Sequence, residues 1–339
     1  MGAMKEAMFF RRLKGQRVRC DLCAHRCVIE DGHRGICQVR GNEGGILYSF
    51  VYGKAVATHV DPIEKKPLFH FQPGSSTFSV ATVGCNFHCS HCQNADISIL
   101  PAIGGHIVGE DLMPDEIVAS AESNGCRSIA YTYTEPTIFF EYAHDIARLA
   151  SEKQLSNLFV TNGYMTAEVL RTAQPYLDAA NVDLKSFSED HYQGVCGARL
   201  QPVLNSLQLM KSLGIWVEVT TLVIPTLNDS KKELRQIAEF ILSLGPETPW
   251  HISQFYPTYQ LTHLPPTPVE SLRRGREIGL EVGLRYVYTG NVPGDEGENT
   301  FCYHCGQRLI HRYGYSILEN RLKEAKCDRC GAVIDGVGL

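Results

Sequence analysis

The chain has 339 residues, of which 44% are hydrophobic and 20% charged, with a formal net charge of −5 and a pI near 6.2. This length suits one large α/β barrel with small appendages, and the mild acidity gives no reason to expect nucleic acid or an anionic membrane as a partner. No run approaches the ~18 apolar residues that span a bilayer, and residues 1–12 lack the apolar region of a secretory signal, so we expect a cytoplasmic protein.

Thirteen cysteines in an intracellular chain indicate metal ligands before disulfides. The first group, Cys20, Cys23, Cys27 and Cys37, has the spacing CxxCxxxC followed by a fourth cysteine after nine residues. Four soft ligands this close together can surround one tetrahedral metal. We expect zinc first and an additional iron–sulfur cluster second. Four reduced, buried cysteines without metal are the weaker alternative.

The next stretch alternates apolar and polar residues. Residues 46–52 and 55–60 predict two short strands joined near Gly53. The polar run 61–68 follows them, and within it Lys65 and Lys66 are expected to be solvated.

A second cysteine group directly follows the apolar run 78–83. Cys85, Cys89 and Cys92 have the spacing CxxxCxxC. Three thiolates can hold three irons of a four-iron cubane, whereas a structural cluster normally has a fourth cysteine. The uncoordinated iron would be open to a small molecule, as in catalytic metal sites.

From residue 78 onwards, short β-branched runs alternate with helical stretches. This alternation predicts a parallel sheet with right-handed crossovers. The predicted strands are 78–83, 128–133, 157–160, 179–184, 215–223, 250–255 and 284–288, and the predicted helices include 114–124, 138–152, 229–244 and 268–279.

Polar residues cluster at the carboxyl ends of these strands, which in a barrel form the catalytic face. Besides the cysteine loop, they are Thr134 and Glu135, Thr161 and Asn162, Asp183 and Lys185, then Thr226, Asn228 and Asp229, and finally His251, Ser253 and Gln254. Packing alone does not easily explain six strands with polar groups at one end, although any single residue could be a cap or a turn residue.

The third cysteine group lies beyond the turn-rich boundary 290–299. Cys302, Cys305, Cys327 and Cys330 form two CxxC knuckles, each followed by glycine. The spacing is typical of a zinc ribbon. A second redox cluster is the alternative.

The loop 84–94 resembles that of the radical S-adenosylmethionine superfamily, and its end, Cys92-Gln93-Asn94, resembles the branch of the pyruvate formate-lyase activating enzymes. The whole chain is most similar to the radical enzyme of the AmmeMemoRadiSam gene set. The resemblance implies a partial (β/α)6 TIM-like barrel over 76–295, preceded by the four-cysteine segment 1–75 and followed by the zinc-ribbon-like segment 296–339. It also implies a four-iron, four-sulfur (4Fe-4S) cluster and S-adenosylmethionine as cofactors, besides the two expected Zn²⁺ ions.

The resemblance also implies roles for single residues. Thr134 and Glu135 stand where the superfamily binds the amino group of S-adenosylmethionine, and capping of the next helix is the alternative for Glu135. Asp183 and Lys185 match a pair that serves the methionine end of the cofactor. They are two residues apart on a strand, so their side chains share one face.

Five further residues are assigned less directly. Thr161 and Asn162 line the pocket or form a turn, and His251 contacts the ribose or is a core histidine. His91 precedes the last cluster cysteine, near the adenine, and Asn94 lies near the cluster or cofactor. Two cysteines outside the three groups, Cys126 and Cys196, are expected to be inert, although Cys196 lies in a flexible loop near the open face.

The implied activity is reductive cleavage of S-adenosylmethionine to a 5′-deoxyadenosyl radical that abstracts hydrogen from a substrate. A ferredoxin or flavodoxin would supply the electron. Either the reaction acts with AMMECR-type and MEMO-type partner proteins, which the two four-cysteine segments favour slightly, or it activates a glycyl-radical protein. An alternative from another class is a zinc-ribbon adaptor on a catalytically dead barrel.

Overall fold

The amino-terminal segment is built from small antiparallel sheets. A computed structural model describes residues 4–339. The strands are β1 (Lys5–Glu6), β2 (Phe10–Arg12), β3 (Val18–Cys20), β4 (Val28–Ile29), β5 (Arg40–Glu43), β6 (Ile46–Ser49), β7 (Lys54–Ala55) and β8 (Ala57–Pro62). One sheet has the order β1-β6-β5 and another β2-β3-β4. The strands predicted around Gly53 therefore form but do not pair with each other, because β8 joins the main sheet instead.

The core alternates strands with helices, as predicted. Its elements are β9 (Ser76–Ala81), α1 (Ala95–Ser98), α2 (Leu100–Gly104), β10 (Glu110–Asp111), α3 (Pro114–Ser123), β11 (Ser128–Tyr131), α4 (Phe140–Glu152), β12 (Ser156–Thr161), α5 (Ala167–Ala173), β13 (Ala179–Asp183), α6 (Glu189–His191), α7 (Leu200–Ser212), β14 (Trp216–Val223), α8 (Lys231–Leu244), β15 (Trp250–Gln254), α9 (Val269–Val282) and β16 (Val287–Gly290). α4 begins later than expected because residues Pro136–Phe139 form a 3-10 turn.

The main sheet has the order β16-β15-β14-β13-β12-β11-β9-β8. β8 runs antiparallel to β9 at one edge, and the other neighbours pair in parallel. Within residues 4–339 this sheet holds seven parallel strands, one more than the resemblance implies. Parallel strands place all their carboxyl ends at one edge, where a ligand site can form. In the same range, no helix is long and apolar enough to cross a bilayer.

Residues 62–71, which we call the floor segment, cross the amino-terminal part of this sheet. Asn181 Nδ2 of β13 donates to Pro67 O at 2.8 Å. The Glu218 carboxylate of β14 accepts from the backbone N–H groups of Phe69 at 3.0 Å and His70 at 2.8 Å. Three apolar side chains of the segment are fully buried against the sheet: Ile63, Leu68 and Phe71.

The carboxyl-terminal segment packs on the floor segment. Its strands β17 (Thr300–Phe301), β18 (Arg308–Tyr313) and β19 (Ser316–Asn320) form an antiparallel sheet. The buried Arg312 donates to Phe69 O at 3.0 Å, and its guanidinium lies 4.2 Å from the centre of the Phe69 ring. Asp335 binds Arg285, which precedes β16, at 2.8 Å. The carboxyl-terminal segment therefore packs against both the floor segment and the part of the core next to β16.

A buried ion pair attaches the amino-terminal segment to the core. Arg40 of β5 binds Glu141 of α4 through both guanidinium nitrogens, at 2.6 and 2.8 Å, and each residue is 1% exposed. Glu141 also accepts from Met8 N at 2.8 Å. The bidentate geometry satisfies both carboxylate oxygens in a place that water does not reach.

Replacing Arg40 by alanine is expected to lower the free energy of unfolding by about 3–5 kcal/mol, because the variant leaves the Glu141 carboxylate buried without its partner. Urea denaturation followed by circular dichroism measures the loss. Arg148→Ala is the matched control: it breaks the exposed Arg148–Glu152 pair at 3.0 Å and should cost at most ~1 kcal/mol. Equal losses in both variants would contradict the prediction.

Candidate active site

A cavity of about 640 Å³ lies at the carboxyl ends of the parallel strands. Its volume suits a ligand of cofactor size. All twelve residues predicted for the central site line it: Cys85, Cys89, Cys92, His91, Asn94, Thr134, Glu135, Thr161, Asn162, Asp183, Lys185 and His251. The topology therefore brings together groups that are up to 166 residues apart in the sequence.

The cysteine loop leaves β9 with a conformation that only glycine adopts easily. Gly84 has φ +97°, and a Cβ there would lie 2.6 Å from Val39 Cγ1 of the amino-terminal segment. His25 Nε2 of the same segment contacts Asn86 O at 2.8 Å. The amino-terminal segment thus supports the loop from outside the cavity.

Cys196 contacts this loop, which the sequence did not predict. It is buried at the end of the short π-helix Tyr192–Cys196, and its carbonyl accepts from His88 N at 3.0 Å. A hydrogen bond with Cys196 lowers the pKa of Cys89. The prediction of a flexible loop was therefore wrong, because backbone hydrogen bonds fix the segment against the cysteine loop.

Glu135 both caps a turn and lines the cavity. Its Oε1 accepts from Thr137 N at 3.0 Å, from Thr137 Oγ1, and from Thr161 Oγ1 at 2.7 Å, whereas Oε2 accepts only from Asn162 N at 2.8 Å. Burial raises the pKa of Glu135, and these donors oppose the rise. The capping role considered for this residue is present. Oε2 still has a lone pair for another donor.

Asp183 and Lys185 meet as expected, but they do not lie on one strand, because β13 ends at Asp183. Lys185 Nζ lies 2.8 Å from Asp183 Oδ2. Burial alone would lower the pKa of Lys185, but Asp183 and the thiols of Cys89 and Cys196 raise it well above its usual value. Lys185 is therefore protonated, and the cavity holds an ion pair with Asp183 near the cysteine loop.

The two histidines of the site differ in how they are held. His251 Nε2 bonds to Glu218 at 2.7 Å, and its ring stacks on Tyr288 at 5.1 Å. His91 is 4% exposed, and neither ring nitrogen has a hydrogen-bond partner. Burial, Lys185 and His191 lower the pKa of His91 to about 3, so its ring is neutral at pH 7.

Sequence reasoning missed a second polar group on the cavity wall. Lys66 was expected in solvent but is 1% exposed, because its side chain packs between Asp61 and the ring of Tyr133. Its Nζ binds Asp61 at 2.7 Å and lies 4.5 Å from the centre of the Tyr133 ring. The only signal in the sequence was the concentration of charge in 61–66, next to a strand and followed by apolar residues. Lys65, with a side chain 40% exposed, matches the expectation better.

The two outer cysteine groups differ in how closely their sulfurs approach one another. Among residues 4–339, only Cys302, Cys305, Cys327 and Cys330 bring at least three potential ligand atoms within 4.8 Å of one another. Cys20, Cys23, Cys27 and Cys37 instead line a second, small cavity together with His25 and Asn86. Burial raises the pKa of Cys37 to about 12.

Comparison with known proteins identifies the family. A model of the radical SAM superfamily matches residues 79–241. The chain is 47% identical to an uncharacterised protein of Methanocaldococcus jannaschii, over 98% of this chain and 99% of that one. It is 25% identical to the pyruvate formate-lyase-activating enzyme of Clostridium pasteurianum, over 48% of this chain and 67% of the enzyme.

Solved structures show the same fold. A radical SAM methyltransferase from Sphaerobacter thermophilus has a TM-score of 0.51 and 18% identity, over 67% of this chain and 71% of that one. Streptococcus suis SuiB bound to S-adenosylmethionine has a TM-score of 0.51 and 13% identity, over 68% and 53%. The matched family region contains the cysteine loop, Glu135, Asp183 and Lys185. This chain therefore belongs to the radical SAM superfamily, with homologues among the activating enzymes.

Proposed function

We propose that the chain reductively cleaves S-adenosylmethionine at a 4Fe-4S cluster held by Cys85, Cys89 and Cys92. One observation carries the proposal: three free cysteines of one loop line the same cavity as Glu135 and the Asp183–Lys185 pair. When bound, cluster and cofactor supply a 5′-deoxyadenosyl radical that abstracts hydrogen from a substrate.

The residues present fit these cofactors. Both ring nitrogens of His91, which lines the cavity, are buried without a partner, so the wall keeps polar groups free for a ligand. Soft thiols suit iron, and the loop supplies three of them.

In this proposal, the chain's own residues bind the cofactor and orient it. Glu135 Oε2 is placed to accept from an ammonium group, and the Lys185 ammonium is placed to neutralise a carboxylate. Asp183 positions Lys185. The Asn94 side chain donates to Tyr133 O at 2.7 Å, which fixes the end of the loop against the turn between β11 and Glu135.

The remaining predicted residues have supporting roles in this proposal. Thr134 Oγ1 donates to Thr82 O at 2.8 Å, and Thr161 holds the Glu135 carboxylate. Asn162 Nδ2 donates to Asn86 Oδ1 at 2.7 Å, beside Cys85. His91 and His251 complete the wall. These contacts exclude water and limit side-chain freedom before a ligand binds.

We further propose that each outer cysteine group binds one Zn²⁺ ion. The separations of 3.6 Å for Cys302–Cys330 and 3.7 Å for Cys305–Cys327 are close to the ~3.8 Å edge of a tetrahedron with Zn–S bonds of about 2.3 Å. The amino-terminal four share a cavity but are more widely spaced, so an iron–sulfur cluster remains the alternative there. The proposed units are residues 1–75, a partial barrel at 76–295 and the ribbon 296–339, in the cytoplasm, where thiols stay reduced.

For partners, we propose a ferredoxin or flavodoxin as electron donor and a substrate reaction of the AmmeMemoRadiSam type, with AMMECR-type and MEMO-type proteins. Support comes from the ribbon, because Glu298, Tyr313 and Tyr315 line the cavity and would contact whatever enters it. Activation of a glycyl-radical protein is the second candidate, favoured by similarity to named activating enzymes.

Anaerobic reconstitution with iron and sulfide tests the proposal. We expect an electron paramagnetic resonance signal after dithionite reduction, a shift of that signal on adding S-adenosylmethionine, and release of 5′-deoxyadenosine. A protein that takes up zinc but no iron would refute the radical activity and favour the adaptor with a dead barrel. Deuterium transfer from candidate partners into 5′-deoxyadenosine would then separate the two substrate classes.

A further inference from the structure

The floor segment fixes one lysine at the cavity wall. Pro67, the next residue, accepts from Asn181, and two following N–H groups bind Glu218. The backbone around Lys66 is therefore held by two strands of the sheet. Because the backbone is held, the side chain has little freedom to leave the wall.

Asp61 gathers the polar groups around Lys66. It accepts from Lys66 at 2.7 Å, from Ser79 at 2.8 Å, from Tyr133 at 2.5 Å and from Lys65 at 2.8 Å. Burial alone would raise the pKa of Asp61, but these donors bring it well below its usual value. An ionised carboxylate and a phenol therefore stand beside one buried amine, where they can hold and pass protons.

Tyr133 connects this group to the cysteine loop. It has φ +63°, a conformation that costs a bulky residue ~1–3 kcal/mol and persists only where its surroundings fix it. Its carbonyl accepts from Asn94, its hydroxyl donates to Asp61, and the Lys66 ammonium lies over its ring. Lys66, Tyr133 and the three cysteines of the loop line one cavity, so a molecule bound to Lys66 lies in the same cavity as these cysteines.

The amine is suited to nucleophilic chemistry. Burial lowers the pKa of Lys66 to about 8, with Lys65 acting in the same direction and Asp61 opposing. A lysine of this kind is neutral in a useful fraction of molecules near neutral pH, as in enzymes that form Schiff bases.

We propose that Lys66 is a catalytic residue that binds a 2-oxo acid substrate as an imine. The Nζ lone pair attacks the carbonyl carbon, the carbonyl oxygen takes up protons, and water leaves as the C=N bond forms. Amine and carbonyl thus give imine and one water without oxidation or reduction. Asp61 and Tyr133 carry the protons. The inference rests on the radical activity proposed above, since it names the class of molecule that would lose hydrogen.

Charge selects the acid rather than a simple aldehyde. Lys65 lies on the cavity wall, one residue from Lys66, and its side chain is 40% exposed. Lys65 and Lys66 share the single carboxylate of Asp61, so this part of the wall has one positive charge in excess, which can bind the carboxylate of a 2-oxo acid. An imine withdraws electrons from the neighbouring carbon and can delocalise a radical formed there. The proposed attachment therefore fixes the substrate and weakens the C–H bond to be broken.

Borohydride trapping tests the imine without requiring cleavage of S-adenosylmethionine. The reconstituted full-length chain is incubated anaerobically with pyruvate, glyoxylate or 2-oxoglutarate, reduced with sodium borohydride, digested and analysed by mass spectrometry. We expect a reduced adduct on Lys66 with at least one of these acids. Lys66→Arg should lose it completely, whereas Lys65→Gln, which removes the neighbouring charge, should retain an adduct on Lys66 at reduced yield.

Lys66→Arg keeps a cation for Asp61, so its thermal midpoint shows whether the variant is folded. No adduct on Lys66 with any of the three acids, or labelling no greater than that of exposed lysines such as Lys153, would overturn the inference. If the adduct is absent while 5′-deoxyadenosine is still released, only this inference fails. If the adduct forms but no S-adenosylmethionine is cleaved, the proposed function fails and the attachment site stands.

Discussion

Replacing Cys85 by alanine is expected to abolish iron binding at the central loop and to reduce 5′-deoxyadenosine release by at least ~100-fold. Loss of groups that only orient metal ligands already costs 10–100-fold, and this variant removes a ligand. Cys85 lines the cavity beside Asn162, and its sulfur accepts from Phe87 N at 3.4 Å. Iron content, the visible absorption of the reconstituted protein and 5′-deoxyadenosine release measure the loss.

Cys126→Ala is the matched control, because Cys126 is also a free cysteine but is buried at the turn between α3 and β11, outside the three groups. It should retain iron and activity. Cys89→Ala is a less clean variant, since Cys196 lies against Cys89 and offers a substitute thiol. Comparing the iron content of Cys89→Ala with that of the Cys89→Ala/Cys196→Ala double variant measures how far Cys196 replaces Cys89 as a ligand. Full iron content in Cys85→Ala would show that the loop does not hold the cluster.

The parts of the fold that local pattern controls could be predicted. The strands of the main sheet are apolar runs because parallel strands are covered on both faces, and punctuation such as Pro114 and Ser230 marks the helix starts. Polar residues at strand ends indicated the cavity for a related reason: a parallel sheet brings its carboxyl ends to one edge. Glu135 and Lys185 therefore lie on one wall, although 49 residues separate them in the sequence.

Contacts over long sequence distances could not be predicted. Apart from the concentration of charge in 61–66, the sequence around Lys66 does not indicate burial. Its partners come from β8 and from the turn after β11, and its position depends on Asn181 and Glu218 in two other strands. The same holds for Cys196, which the loop after β13 brings to the cysteine loop. In both cases the local sequence predicts an exposed side chain, whereas hydrogen bonds to distant parts of the chain bury it.

Replacing Cys330 by serine is expected to release one zinc equivalent and to unfold the segment 296–339 locally. Cys330 is exposed, so the change removes little packing, but it removes one of four sulfurs that lie within 4.8 Å of one another. Small metal-bound segments fold on their metal, and zinc contributes ~10–16 kcal/mol in finger peptides. Zinc content by mass spectrometry and limited proteolysis at 296–339 measure the two effects.

The consequence should extend beyond the ribbon. Arg312 and Asp335 connect this segment to Phe69 and Arg285, and Tyr313 lines the cavity, so unfolding opens one wall of the site. We therefore expect Cys330→Ser to keep its central iron but to weaken trapping at Lys66 by a measurable factor. His304→Ala is the matched control, because His304 lies inside a knuckle yet outside the four-sulfur group. If Cys330→Ser retained its zinc and its resistance to protease, or if His304→Ala lost zinc equally, the four-cysteine site would be wrong. Retained trapping after unfolding of the segment would show instead that the ribbon does not form a working wall of the cavity.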